Sequence, residues 1–221
     1  MAEERSISIT KLITVPALIT LAVTILRLVG ELQGWSPLLF STKAGGGAAL
    51  VGISWLPIIF GPYFAVKLAK AGEGPSSTGK AIGFAVLSLV VYVLAMVWFG
   101  ATYAHPSYLT LVPLVLVLGS AFIPGIGWRS LGNTLLAYAF AARIPVLIVM
   151  YIAMRAGWET HYSRIGEPFA NMGFAKQYLY EAFIPQMTMW IGWTVVVGSI
   201  LGTIVAAVAR PGKQPAPAAA S

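Results

Sequence analysis

Cysteine and aspartate are both absent from this chain. Without cysteine there is no disulfide, no thiolate metal site, no iron–sulfur cluster and no c-type haem attachment. Charge of either sign is scarce: 10% of the 221 residues are charged, against about a quarter in soluble domains. Only seven acids occur, all glutamate. A membrane enzyme handling phosphates or peptides needs clustered acids or histidines on one face, and the outer segments offer only a thin version of that. Proton-coupled transporters carry carboxylates deep in their helices. Here Glu31, near the edge of an apolar span, is the one acid directly on the end of a span outside the long loop.

What fills the chain instead is apolar sequence. Hydrophobic residues make up 58% of it, and the mean hydropathy is +0.82. This excludes a soluble domain and predicts an all-α, polytopic integral membrane protein. The net charge of +7 would suggest nucleic acid in a soluble protein. In a membrane protein it is a topological signal, and nucleic acid is not expected as a partner.

Six spans are expected: Leu12–Val29, Ala48–Ala69, Ala81–Thr102, Leu109–Ile126, Leu135–Met154 and Ile184–Val208. Each approaches the ~20 residues that a helix needs to cross the hydrocarbon core. The first has a short basic lead, Arg5 and Lys11, but no small-x-small cleavage site, and so reads as an uncleaved signal anchor. With the N-terminus inside, the inner segments carry Arg5, Lys11, Lys67, Lys70, Lys80, Arg129, Arg210 and Lys213, and the outer ones Lys43, Arg155, Arg164 and Lys176. Eight against four puts both termini in the cytoplasm and the protein in the cell inner membrane. Residues 1–209 read as one transmembrane domain and the Pro/Ala-rich 210–221 as a disordered cytoplasmic tail. In the long outer connection, Pro168–Phe183 reads as an amphipathic helix along the membrane surface.

A few residues stand out against this background. Arg143 lies near the middle of the fifth span. It stays ionised at any working pH, and a helix-centre arginine costs about 2.5–3.5 kcal/mol on insertion scales. That cost implies a partner, a wet cavity or snorkelling. Pro145 has no N–H, so the carbonyl of Ala141 loses its helical donor beside this cation. Ala137 and Ala141 form a small face for close helix packing. Arg143 is therefore expected to be buried, with Glu31 as its first candidate partner and the Ala141 carbonyl as its second. Arg27 and Glu31, four apart, share a helical face and predict an intrahelical ion pair. Two GxxxG spacings, Gly30/Gly34 and Gly198/Gly202, predict packing within the chain.

Two looser constellations remain. Lys43 with Gly45, Gly46 and Gly47 precedes the second span, where backbone N–H groups can make an anion nest, although no Walker pattern is present. His105, Glu159, His161 and Glu167 all fall on outer segments. Their spacing matches no metal-ligand signature, so no metal is assigned and a polar outer surface is expected. No cofactor is indicated.

Function is not legible from these features. A non-catalytic accessory or scaffold subunit of a membrane complex ranks first, on small size, short loops and few reactive groups. The partners expected are the lipid bilayer and other membrane subunits or further copies of the chain. A small transporter or channel ranks second, with Arg143 and Arg27 lining an outward-facing path for an anion or a polar lipid. An enzyme acting at the outer surface ranks third.

Overall fold

The computed structural model of the chain describes residues 7–47, 49–103 and 110–209, and all of its regular structure is helical. The expected tail 210–221 and the basic residues Arg5, Arg210 and Lys213 lie outside the described residues.

Helix α1 spans Ile9–Leu32, with Ser8 as its N-cap. Helix α2 is Leu56–Lys70 and α3 is Thr78–Thr102, capped by the Ser77 side chain. Helices α4, Leu111–Ser120, and α5, Pro124–Gly127, are separated by a turn. Helix α6, Arg129–Ala156, ends on Gly157 in the left-handed conformation (φ 64°), a backbone state that favours glycine. The last helical stretch begins with α7, Phe174–Gln177, and a π-helical segment, Tyr178–Phe183. It continues through α8, Ile184–Met187, into α9, Met189–Val208.

Four stretches are long and apolar enough to cross a membrane: Ile9–Leu32, Thr78–Thr102, Arg129–Ala156 and Phe174–Val208. The other two expected spans are not among these four. The second begins as helix only at Leu56, because the glycines before it take turn conformations and Pro57 opens the helix. Its 15 residues reach about 22 Å. The fourth is the shorter apolar stretch Leu111–Gly127. Proline at 124 cannot donate to the Ser120 carbonyl, and Ser88 on α3 supplies a hydrogen bond there instead, at 2.7 Å. The stretch expected to lie flat along the surface also differs. Pro168 opens only the 3-10 turn Glu167–Phe169; α-helix starts at Phe174 and runs on into α9 as part of one 35-residue apolar stretch.

Helix α9 is the centre of the bundle and packs against α2, α3, α4 and α6. Its crossing with α2 is close because both surfaces are glycine. A Cβ on Gly202 would sit 2.9 Å from the Gly61 carbonyl oxygen, and one on Gly61 would meet the Gly198 backbone. The Gly198/Gly202 face is thus spent inside the chain. Gly30, in the other spacing, lies against the Phe40 ring. Tyr138 on α6 fills the core between Phe60 and Phe64, each at 5.4 Å in edge-on geometry, and its hydroxyl meets Thr20 of α1 at 2.8 Å.

The two ends of the bundle differ. At one end Glu73 accepts from the Ile7 N–H at 2.7 Å, and its carbonyl accepts from the Trp128 indole at 2.7 Å, a short tie among connections. At the other end, irregular backbone from residues 33–47, 49–55 and 157–173 folds over the helices. Non-helical chain near a membrane must be satisfied by protein or border a cavity. Here it does both.

Candidate functional site

The site is built from two buried arginines that solve the same problem differently. Arg27, near the C-terminal end of α1, is 6% exposed. Its Nε donates to Glu31 Oε1 at 2.8 Å, the i,i+4 pair that the sequence predicts. Its Nη1 donates to the Val51 carbonyl at 2.7 Å, and its Nη2 to the carbonyls of Gly46 and Ser41 at 2.8 and 3.0 Å. Arg27 is therefore the peg around which residues 41–47 and 49–51 wrap. Charge-assisted bonds to carbonyls and one carboxylate leave it satisfied. The glycine stretch is used for this purpose. Gly46 has φ +80° and presents its carbonyl to Arg27, while Lys43, Gly45 and Gly47 are exposed. In the segment expected to offer an anion nest, the Gly46 carbonyl thus serves a cation of the chain itself, and the Gly46 N–H donates to the Lys43 carbonyl at 2.9 Å.

Glu31 has three donors. Besides Arg27 it accepts from the His161 backbone N–H at 2.8 Å, and it meets His161 Nδ1 at 2.5 Å. The long segment after α6 therefore folds back so that its imidazole closes on α1. This pairing across 130 positions has no local sequence signal. Tyr162 follows it inward, 5% exposed, its ring 3.8 Å from that of His161 and its hydroxyl reaching the Thr24 carbonyl at 3.4 Å. Burial holds the His161 pKa below its ordinary value, with Arg27 adding to the effect and the Glu31 carboxylate opposing it. Burial likewise pushes the Tyr162 phenol up.

Arg143 is the contrast. It is 3% exposed, as expected for a buried residue, but its partners are not those expected. Glu31 is already held by Arg27 and His161, and among the described residues no carboxylate pairs with Arg143. The freed Ala141 carbonyl does not take it either. Among the described residues its one hydrogen bond runs from Nη2 to Thr194 Oγ1 on α9, at the long distance of 3.5 Å. Its guanidinium carbon lies 4.8 Å from the centre of the Trp190 ring, a cation–π contact. Its Nε is buried with no hydrogen-bond partner among the described residues. A five-donor cation is thus left with a ring face and one weak bond.

It faces a cavity of about 660 Å³ at the end of the bundle covered by the irregular segments. Arg143, Val146 and Met150 of α6 form one wall, and Arg27, His161 and Tyr162 another. Trp190 and Gln186 from the last helical stretch complete it. Gln186 and Trp190 flank the break at Thr188, just beyond the π-helical segment and Pro185. π-Helical turns often mark functional positions. Gln186 is also buried, with Nε2 3.6 Å from Met150 Sδ and Oε1 without a partner. At the rim, Glu181 accepts from the Tyr103 hydroxyl at 3.1 Å and from the Gly166 N–H at 3.0 Å. Arg164 donates to the Thr42 carbonyl at 3.1 Å and ties the two covering segments together.

The remaining sequence candidates do not line this cavity among the described residues. Glu159 and Glu167 are exposed, and His105 lies outside the described residues. No cluster of three metal-ligating side chains occurs among the described residues. Of the residues that the sequence singles out, Arg143, Arg27, Glu31 and His161 come together here, whereas Gln186 and Trp190 are not singled out. A glutamine in an otherwise apolar span beside Pro185 is the signal that was available.

Comparison with protein-family models, with curated proteins and with solved structures finds no match to this chain.

Proposed function

We propose that this protein is a small transport or carrier protein that binds an anionic, largely apolar molecule in its cavity through Arg143. One observation carries the reading. Of two buried arginines, one has its hydrogen bonds filled by the chain, and the other is left without a carboxylate and with an idle Nε beside an open cavity. A buried charge without a counter-ion is costly, and a bound anion removes that cost. The cavity size suits one amphiphile of modest length. Aliphatic and aromatic walls fit its tail, Arg143 fits its acid group, and the idle Gln186 oxygen fits a hydroxyl or amine near that group. In this reading the chain crosses the inner membrane six times with both termini cytoplasmic, and the cavity opens outward. The accessory-subunit role gives the cavity and its cation no occupant and therefore ranks second here.

Native mass spectrometry of protein purified in a mild detergent tests this reading. The wild type is expected to carry an anionic adduct that Arg143→Gln lacks. A wild type without any adduct, and with no gain in thermal stability from anionic amphiphiles, contradicts it.

A further inference from the structure

The pairing of His161 with Glu31 gives the cavity a second chemical group. We propose that the ligand of this cavity is a weak acid bound together with its proton, the conjugate base going to Arg143 and the proton to Nε2 of His161. The inference deepens the anion-binding reading above and rests on it.

The geometry supplies the proton site. His161 lines the cavity, and its Nδ1 is committed to Glu31 at 2.5 Å. An ionised carboxylate only accepts, so Nδ1 carries the hydrogen and Nε2 holds the lone pair. Glu31 is in turn fixed by Arg27 and by the His161 backbone N–H. The imidazole is therefore set in one tautomer and one orientation, with a carboxylate behind it to stabilise the imidazolium.

Electrostatics supplies the coupling. The charged and titratable groups facing His161 are Glu31 and Arg27 from α1 and Tyr162 from its own segment. Around the same cavity stand Arg143 of α6 and, at the rim, Arg164 and Glu181. In the empty cavity the arginines and burial disfavour a further positive charge, and His161 stays neutral. An anion on Arg143 offsets that positive field and favours the imidazolium. The step balances with nothing added: the acid O–H bond breaks, its electron pair stays on the oxygen that meets Arg143, and the proton ends on Nε2. By linkage, protonation of His161 strengthens anion binding by the same factor.

Octanoate is the probe, with the full-length protein in nanodiscs of zwitterionic lipid. Isothermal titration in two buffers of different ionisation enthalpy at neutral pH reads proton uptake. The wild type is expected to take up close to one proton per octanoate, with affinity rising up to about tenfold per pH unit on acidification. His161→Gln is expected to bind octanoate with no uptake and no pH dependence between pH 6 and 8, because Arg27 still holds Glu31. The chain has two histidines, so labelled-imidazole NMR of the wild type follows His161 directly should that variant fold poorly. Its titration midpoint is expected to rise when octanoate binds. Octanoate binding without proton uptake, or an unmoved His161 midpoint, overturns this inference and leaves the anion site standing. No octanoate binding to the wild type overturns both.

Discussion

Arg27 and Arg143 show how little residue type alone decides. Both are long cations in apolar helices, yet they call for opposite experiments. Arg27→Gln leaves Glu31, 5% exposed, without its charged partner. Breaking such a buried pair typically costs about 3–5 kcal/mol, and thermal unfolding in detergent should show a large fall in midpoint. Arg143→Gln removes a charge that no carboxylate among the described residues pairs with. Its stability is expected to stay level or to rise when no ligand is present. His161 carries a pH signature at the same scale. Its pKa is lowered on folding, so the unfolded chain binds more protons as pH falls through the ordinary histidine value of about 6.5. Unliganded stability should therefore decline below about pH 6.5, towards the folded pKa, and be flat above it. His161→Gln should flatten that dependence in unfolding midpoints measured from pH 5 to 8.

Among the elements, the α2–α9 crossing and the broken helices set the site. Gly61→Ala is expected to force these helices apart, with a loss of about 1–3 kcal/mol in thermal unfolding. Gly83→Ala on α3, where an added Cβ meets nothing within 4 Å, should instead be neutral or stabilising by up to about 1 kcal/mol. The apolar runs made the helices legible, and Pro57, Pro124 and Pro185 marked where they break. The consequences of those breaks were not legible. Hydropathy counted residues 48–55 as membrane span, whereas positive-φ glycines and the pull of Arg27 on three carbonyls turn 41–47 and 49–51 into a cover for the cavity. The π-helical turn at Tyr178–Phe183 likewise has no pattern in composition, yet it precedes the Thr188 break that Gln186 and Trp190 flank.

For the molecule as a whole, the sequence spoke clearly on class and poorly on site. Scarce charge and long apolar runs point to a membrane protein, and four stretches of the fold are long enough to cross one. The Arg27–Glu31 pair followed from spacing. The Glu31–His161 bond did not, because it joins helix and loop 130 positions apart. The empty surroundings of Arg143 follow from that bond: the acid expected to answer it is already held elsewhere. Orientation belongs to this scale too. The chain has no cysteine, so single cysteines report cleanly. Ala44→Cys at the cavity mouth should react with an impermeant maleimide added outside intact cells, and Ser77→Cys only after the membrane is opened.

The central claim is that Arg143 is an unfilled anion site. Octanoate binding to wild type and to Arg143→Gln in nanodiscs, at fixed pH and salt, tests it most directly. The wild type should bind one octanoate per chain, and the variant at least about 100-fold more weakly, matching the roughly 3 kcal/mol at the upper end for a charge-assisted hydrogen bond. Equal octanoate affinity in the two proteins, with both folded, would contradict the account.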